Sequence, residues 1–324
     1  MVFDWLGALL AQNPILASIA VIAVSFFLVV KSSDYITLSL ASYARKLGIS
    51  DYLIGFLILG IGTSLPEFIS AAMGNQMGEP GIVFGTLLGS GVTTITIVLG
   101  LLAVFAKKVK LQDRLLVKTR ILILPLCILP LILAYDGEIS RIDGLILISA
   151  FIAFVFKVWH EEGTLGKMKK DVRIRHIYKD AIIFLLALMT LLLSARFLVF
   201  SSVVFSHRIG IPPYLMALTI IAVGASIGDL ALDLKSLLGG HRNVAVGDIF
   251  GGLVFENTLI FGLIAVISPI KANLKELLPA AFFFIMPLAG VMVLIRRGEM
   301  RQKHGVWLTA CYVTFLIVQV FVVK

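Results

Sequence analysis

Gly62-Thr63-Ser64-Leu65-Pro66-Glu67 lies inside one long apolar segment, and Gly224-Ala225-Ser226-Ile227-Gly228-Asp229 lies inside another. The two stretches stand 162 positions apart (224 − 62), half the length of the 324-residue chain. The offset holds without a gap: Gly48 matches Gly210, Tyr52 matches Tyr214, Gly78 matches Gly240, Gly85 matches Gly247, Gly89 matches Gly251 and Gly100 matches Gly262. Chance does not keep so many glycines in register, so the chain reads as two copies of one unit. Each copy sets one carboxylate, Glu67 or Asp229, deep in apolar sequence. That combination is expected of a membrane transporter built from inverted repeats, with a cation site between the two acids.

Composition supports a membrane setting. The chain is 59% hydrophobic with a mean hydropathy of +1.03. A soluble domain cannot hide that much apolar surface, whereas lipid solvates it. No run of period-two alternation suggests a barrel. The net charge of +9 invites a nucleic-acid reading. However, the lysines and arginines sit mostly in short loops between apolar spans, so no nucleic-acid partner is expected. Cys127 and Cys311 lie inside apolar spans and read as packing residues, and all five histidines lie in or near loops without metal-binding spacing. The first residues, from Met1 to Gln12, carry Asp4 and no basic residue, which is expected of a retained segment rather than a cleaved leader.

Ten spans fit, roughly 14–40, 52–73, 81–106, 121–135, 142–158, 181–204, 214–238, 244–267, 277–295 and 306–323. The expected fold is an all-α polytopic membrane protein of ten transmembrane helices in two inverted five-helix repeats. Residues 1–160 would form the first repeat (ion motif 60–94), 161–179 a basic cytoplasmic linker, and 180–324 the second repeat (ion motif 222–257). Odd-numbered loops carry the basic residues, for example Lys107, Lys108 and Lys110 in the third and Arg296 and Arg297 in the ninth. That asymmetry sets the odd loops in the cytoplasm and both termini outside it, in a plasma or inner membrane. Five spans per repeat is an odd number, so the second copy enters from the opposite side.

A carboxylate at mid-membrane costs several kcal/mol unless it is paired, protonated or bound to a cation. Thr63, Ser64 and Ser226 offer hydroxyl oxygens within about one turn of the two acids. Pro66 and Gly228 are expected to loosen the helix there and free carbonyls toward a cavity. Oxygen ligands of this sort suit hard cations such as Na+ and Ca2+. The third span of each copy adds Gly85-Thr86-Leu87-Leu88-Gly89-Ser90 and Gly247-Asp248-Ile249-Phe250-Gly251-Gly252. The glycines there read as close-packing positions. One turn on stand Thr94 and Glu256, a third deeply placed acid and a candidate for the site. Asp248 lies nearer the end of its span and reads as an entrance residue. Asp233 reads equally as an ion guide or a solvated helix-end acid. Lys31, Asp34 and Arg196 read as snorkelling to the interfaces.

The GTSLPE stretch, followed by G-x-x-x-G-S and repeated in inverted form, resembles the cation/calcium exchanger superfamily over nearly the whole chain. The resemblance implies ten helices, with the second, third, seventh and eighth forming the ion sites and the first and sixth sliding past that core. It puts the central Ca2+ carboxylates on Glu67 and Asp229, hydroxyl ligands on Thr63, Ser64, Ser226 and Ser90, carbonyl ligands on Gly60 and Ala222, and a polar pair on Thr94 and Glu256. Ala225 and Gly252 stand where the family's threonine and serine are expected. The second copy is similar to the mitochondrial-type and plant cation exchanger branch. The implied function is secondary antiport of Ca2+ against Na+, or against H+ through Glu256, or exchange of another divalent ion. Nothing in the sequence calls for an enzyme, a cofactor or an obligate protein partner. No nucleotide-binding motif appears, so no ATP drive is expected. Tyr135-Asp136 and Ile227-Gly228-Asp229 faintly resemble the two acidic motifs of an intramembrane aspartyl protease. A channel is the third alternative.

Overall fold

The computed structural model describes residues 14–46, 59–111, 114–162 and 177–323. Among them, eight helices are long and apolar enough to cross a membrane. Helices dominate for a physical reason: in lipid every backbone N–H and C=O must find its partner within the segment. The second expected span is described only from residue 59, and the fifth forms a helix, Arg141–Glu162, that is not among the eight. The expected linker falls mostly outside the described residues.

The chain opens with α1 (Pro14–Lys46), then the interrupted pair α2 (Gly60–Thr63) and α3 (Leu65–Gln76). The third span is a composite of α4 (Pro80–Thr93), a π-helical turn π1 (Thr94–Val98) and α5 (Leu99–Ala106). There follow β1 (Lys108–Lys110), α6 (Arg114–Leu133), β2 (Glu138–Ile139) and α7 (Arg141–Glu162). The second half runs α8 (Ile177–Ile209), α9 (Pro213–Met216), π2 (Ala217–Ile221) and α10 (Ala222–Leu238). It continues through α11 (Arg242–Phe255), π3 (Glu256–Ile260), α12 (Phe261–Ile267), β3 (Ile270–Lys271), α13 (Leu274–Arg297), β4 (Glu299–Arg301) and α14 (Gln302–Val323).

Structural features recur at the 162-residue offset. The turns π1 and π3 begin at Thr94 and Glu256. Gly78 and Gly240 both take positive φ, 79° and 88°, where a side chain would be strained. Each ends one helix two residues before the next begins. Two short ribbons, absent from the all-helical expectation, follow the same relation. β1 pairs with β4 and β2 with β3, both antiparallel. Strands of two or three residues are too short to carry a period-two pattern, which is why the sequence does not announce them.

Among the described membrane-length helices the third and eighth spans are the most enclosed, with 83% of the residues in the apolar stretch of each buried. Glycines set their approach to their neighbours. A Cβ at Gly85 would lie 2.5 Å from the Tyr214 carbonyl oxygen, and one at Gly60 would lie 2.7 Å from the Gly252 nitrogen. The close-packing role expected of the G-x-x-x-G glycines is therefore what Gly85 and Gly89 perform. α1 and α8 pack along each other, burying Val29, Ile36, Leu191 and Val199 and leaving Leu16, Phe27, Leu185 and Met189 exposed on the outer side. Each has 33 residues, about 50 Å of helix at ~1.5 Å per residue and longer than a ~30 Å hydrocarbon core.

Candidate functional site

The second span breaks at Ser64 (φ −82°, ψ 1°), between α2 and α3. Pro66, two residues further on, supplies no N–H to heal the break. The interruption presents Thr63, Ser64 and Glu67 to the interior, and Glu67 is fully buried. The seventh span behaves differently. α10 runs unbroken through Gly228, so that glycine does not interrupt the helix as expected. The irregularity lies upstream at π2, which ends at Ile221. π turns widen the helix and leave its carbonyls imperfectly matched. Nearby hydroxyls donate back to such carbonyls, Thr219 to Leu215 and Thr258 to Val254 among them.

Ser64 Oγ donates to Glu256 Oε1 at 3.0 Å. Ser90 Oγ lies 3.3 Å from that same oxygen and 3.5 Å from Glu67 Oε1. Ser90 thus sits between two carboxylates, and its single proton serves one of them at a time. Thr63 Oγ1 is likewise 3.0 Å from the Leu59 carbonyl and 3.1 Å from Asp248 Oδ1. Ser226 donates to the Ala222 carbonyl at 2.9 Å. Oε2 of Glu67 and Oε2 of Glu256 are buried and accept no hydrogen bond among the described residues.

Two small clefts meet at Asp229. One is lined by Thr63, Ser64, Thr94, Asp229, Asp233, Asp248, Ile249, Gly252, Leu253 and Glu256. The other runs past Val30, Ser33, Asp34, Thr63, Pro66, Ala225, Gly228, Asp229 and Leu232. Among the described residues no basic side chain lines either. The arrangement joins most of the expected residues: Thr63, Ser64, Ser90, Thr94, Glu67, Asp229 and Glu256 all contribute to it. Gly60 acts through its backbone, which lies against Gly251 and Gly252. Ser226 and Ala222 are buried on α10 but bond to each other as placed.

Three acids are placed more fully than the sequence allows. Asp233, read equally as an ion guide or a solvated helix-end acid, is only 1% exposed and lines the cleft, which removes the solvated reading; Asp248, read as an entrance residue, is 3% exposed and lines the same cleft. Asp34 borders the cleft with Asp229 while also pairing with Lys31 at 3.4 Å. The available signal was the second copy's own pattern, which places an acid at 248 where the first has Thr86. Asp136, by contrast, is exposed in the turn Ala134–Asp136 and lines neither cleft. The second acid of a protease pair is therefore not brought to Asp229.

Such a site offers carboxylate and hydroxyl oxygens to a hard cation, with no basic side chain among the described residues lining it. Among the described residues no three His, Cys, Asp or Glu side chains already converge as a closed metal cage. Hydroxyls and backbone oxygens must complete the coordination of any ion held there.

Comparison with known proteins agrees with this chemistry. The sequence model described as sodium/calcium exchanger protein matches residues 17–159 and again 179–321. The chain is 24% identical over 335 residues to the sodium/calcium exchanger MaX1 of Methanosarcina acetivorans, covering 90% of this chain and 95% of that protein. It is 28% identical over 324 residues to the inner membrane protein YrbG of Escherichia coli, covering 93% and 96%. The fold is shared with solved structures of the sodium-calcium exchanger NCX_Mj, with a TM-score of 0.69 at 20% identity over 94% of this chain and 99% of that one. With the family model matched over most of its length, the chain belongs to the sodium/calcium exchanger protein family.

Proposed function

We propose that the chain is a secondary antiporter that moves Ca2+ against Na+ by alternating access. The observation that carries this reading is the linkage of Glu67 and Glu256 through the Ser64 and Ser90 hydroxyls, beside clefts that Asp229, Glu256, Ser64 and Thr63 line. Ca2+ is held by the three carboxylates, with Thr63, Ser64, Ser90, Ser226 and Thr94 and the carbonyls of Gly60 and Ala222 completing the oxygen shell. For Ser226 and Ala222 this requires their mutual hydrogen bond to open. The names of the relatives supply the ions, and that of YrbG suggests the inner membrane. Ten helices form two inverted repeats, residues 1–160 and 180–324, joined by the basic cytoplasmic linker 161–179, with both termini outside the cytoplasm. α1 and α8 slide along the core, and each ion enters after the other leaves because both need the same oxygens.

One observation favours a second counter-ion. Ala225 and Gly252 remove two hydroxyls that a full set of Na+ ligands would use, while the carboxylates remain. H+ is then the alternative partner. Uptake of 45Ca2+ into proteoliposomes decides between them. Uptake driven by an outward Na+ gradient supports Na+/Ca2+ exchange, and uptake driven only by a proton gradient replaces Na+ with H+. No Ca2+ uptake under either gradient overturns the Ca2+ reading.

A further inference from the structure

Asp233 and Asp248 are not accounted for by the site just described. The positions equivalent to them in the first copy are Ala71 and Thr86, so this acid pair belongs to one half of the molecule only. Asp233 stands on α10 one turn beyond Asp229, and Asp248 on α11 two turns before Glu256. Their carboxyl groups line one small cleft and lie close together. Asp248 Oδ1 also receives the Thr63 hydroxyl at 3.1 Å. Asp233 Oδ1 and Asp248 Oδ2 are buried and have no hydrogen-bond partner among the described residues. The residues that share the cleft with them add Asp229 and Glu256 and no positive charge.

Two buried carboxylates this close repel each other and are each several kcal/mol dearer than in water unless they share a proton or a cation lies between them. A single Ca2+ bound at Glu67, Asp229 and Glu256 leaves this pair uncompensated. We infer that Asp233 and Asp248, with the Thr63 hydroxyl shared between them and the first site, form a second site for a hard divalent cation, Ca2+ itself, on the side of the turn joining α10 to α11. The inference rests on the cation-transport reading above. Two carboxylates balance a divalent charge, and Ca2+ tolerates the irregular oxygen geometry that Mg2+ does not. An arriving cation separates the two carboxyls and bridges them, taking water for its remaining positions. Because the first copy lacks the pair, the site serves one membrane face. An ion waits there before passing to Asp229.

Equilibrium binding of 45Ca2+ to the purified full chain in detergent tests this, with size-exclusion profiles confirming that each variant is folded. The wild type is expected to bind two Ca2+ per chain. Glu67→Gln retains one. Asp233→Asn and Asp248→Asn each lose the weaker step, its half-saturation rising about tenfold or more on loss of one ligand charge, while the tighter step stays within about threefold. One Ca2+ per chain, lost in Glu67→Gln and unchanged in both aspartate variants, overturns the second site and leaves the first intact. No binding to the wild type overturns both.

Discussion

Ser64 Oγ donates a 3.0 Å hydrogen bond to Glu256 Oε1, joining residues 192 positions apart across the two halves of the chain. The bond exists because both spans are irregular at that point: the second breaks at Ser64, and the eighth enters its π turn at Glu256. A hydrogen bond to a charged group contributes about 1.5–3 kcal/mol. Ser64→Ala is therefore expected to raise the Ca2+ concentration for half-maximal uptake by about tenfold or more, since ~1.4 kcal/mol is a factor of ten. The folded protein is retained. Unchanged Ca2+ dependence in Ser64→Ala would remove the hydroxyl from the ion site.

Gly60 and Gly252 face each other but differ in tolerance. A Cβ at Gly60 meets the Gly252 nitrogen at 2.7 Å and the Gly251 carbonyl carbon at 3.0 Å, both backbone atoms that cannot step aside cheaply. A Cβ at Gly252 meets nothing nearer than Ser64 Oγ at 3.5 Å. Overpacking of this kind costs about 1–3 kcal/mol. Gly60→Ala is expected to lower the thermal unfolding midpoint and transport together, while Gly252→Ala leaves the midpoint near that of the wild type. Equal midpoints for the two variants contradict the packing described.

Gly252 also explains a missing ligand. The residue has room for a hydroxymethyl group beside Ser64 Oγ and the Gly60 carbonyl, 3.5 and 3.8 Å from its Cβ position. Gly252→Ser restores an oxygen where the family resemblance expects one. It is expected to lower the Na+ concentration needed to drive Ca2+ exchange, read as the half-maximal Na+ in proteoliposome efflux. A Na+ dependence identical to the wild type means that the absent hydroxyl is not what sets Na+ affinity.

The repeat and the central acids were legible in sequence because glycine register and intramembrane carboxylates leave marks in the primary structure. Glu67 and Glu256 stand out in the sequence as carboxylates deep in apolar spans, and the structure brings both within hydrogen-bonding reach of Ser90. Asp233 does not stand out: one helical turn beyond Asp229 is compatible with solvent or with the cleft, and only the packing of α10 on α11 decides. The π turns were illegible for another reason. Their extra residue per turn leaves no composition signature, yet π1 and π3 place Thr94 and Glu256 at corresponding points. Gly228 misled in the opposite sense, since tertiary packing holds α10 helical through it.

The β1–β4 ribbon supplies a pH test outside the spans. Glu299 lies between Lys108 and Arg301, and their hydrogen bonds, that of Lys108 first, hold its carboxyl below the usual range. A carboxyl lowered on folding adds stability that is complete above its unfolded value, about 4.3 for glutamate, and is lost as pH falls through the folded value. Glu299→Gln is thus expected to unfold at a slightly lower temperature than the wild type at pH 7, with the gap closing in acid. A gap that is independent of pH rejects the ion-pair contribution.

The most direct test of the central claim is 45Ca2+ uptake into proteoliposomes under an outward Na+ gradient, comparing the wild type with Glu67→Gln and Asp229→Asn at equal reconstitution. If these two acids hold the transported ion, both isosteric substitutions abolish gradient-driven uptake while the proteins remain folded. Uptake that survives in either folded variant at near wild-type rate would show that Ca2+ crosses without that carboxylate, and the site would have to be sought elsewhere.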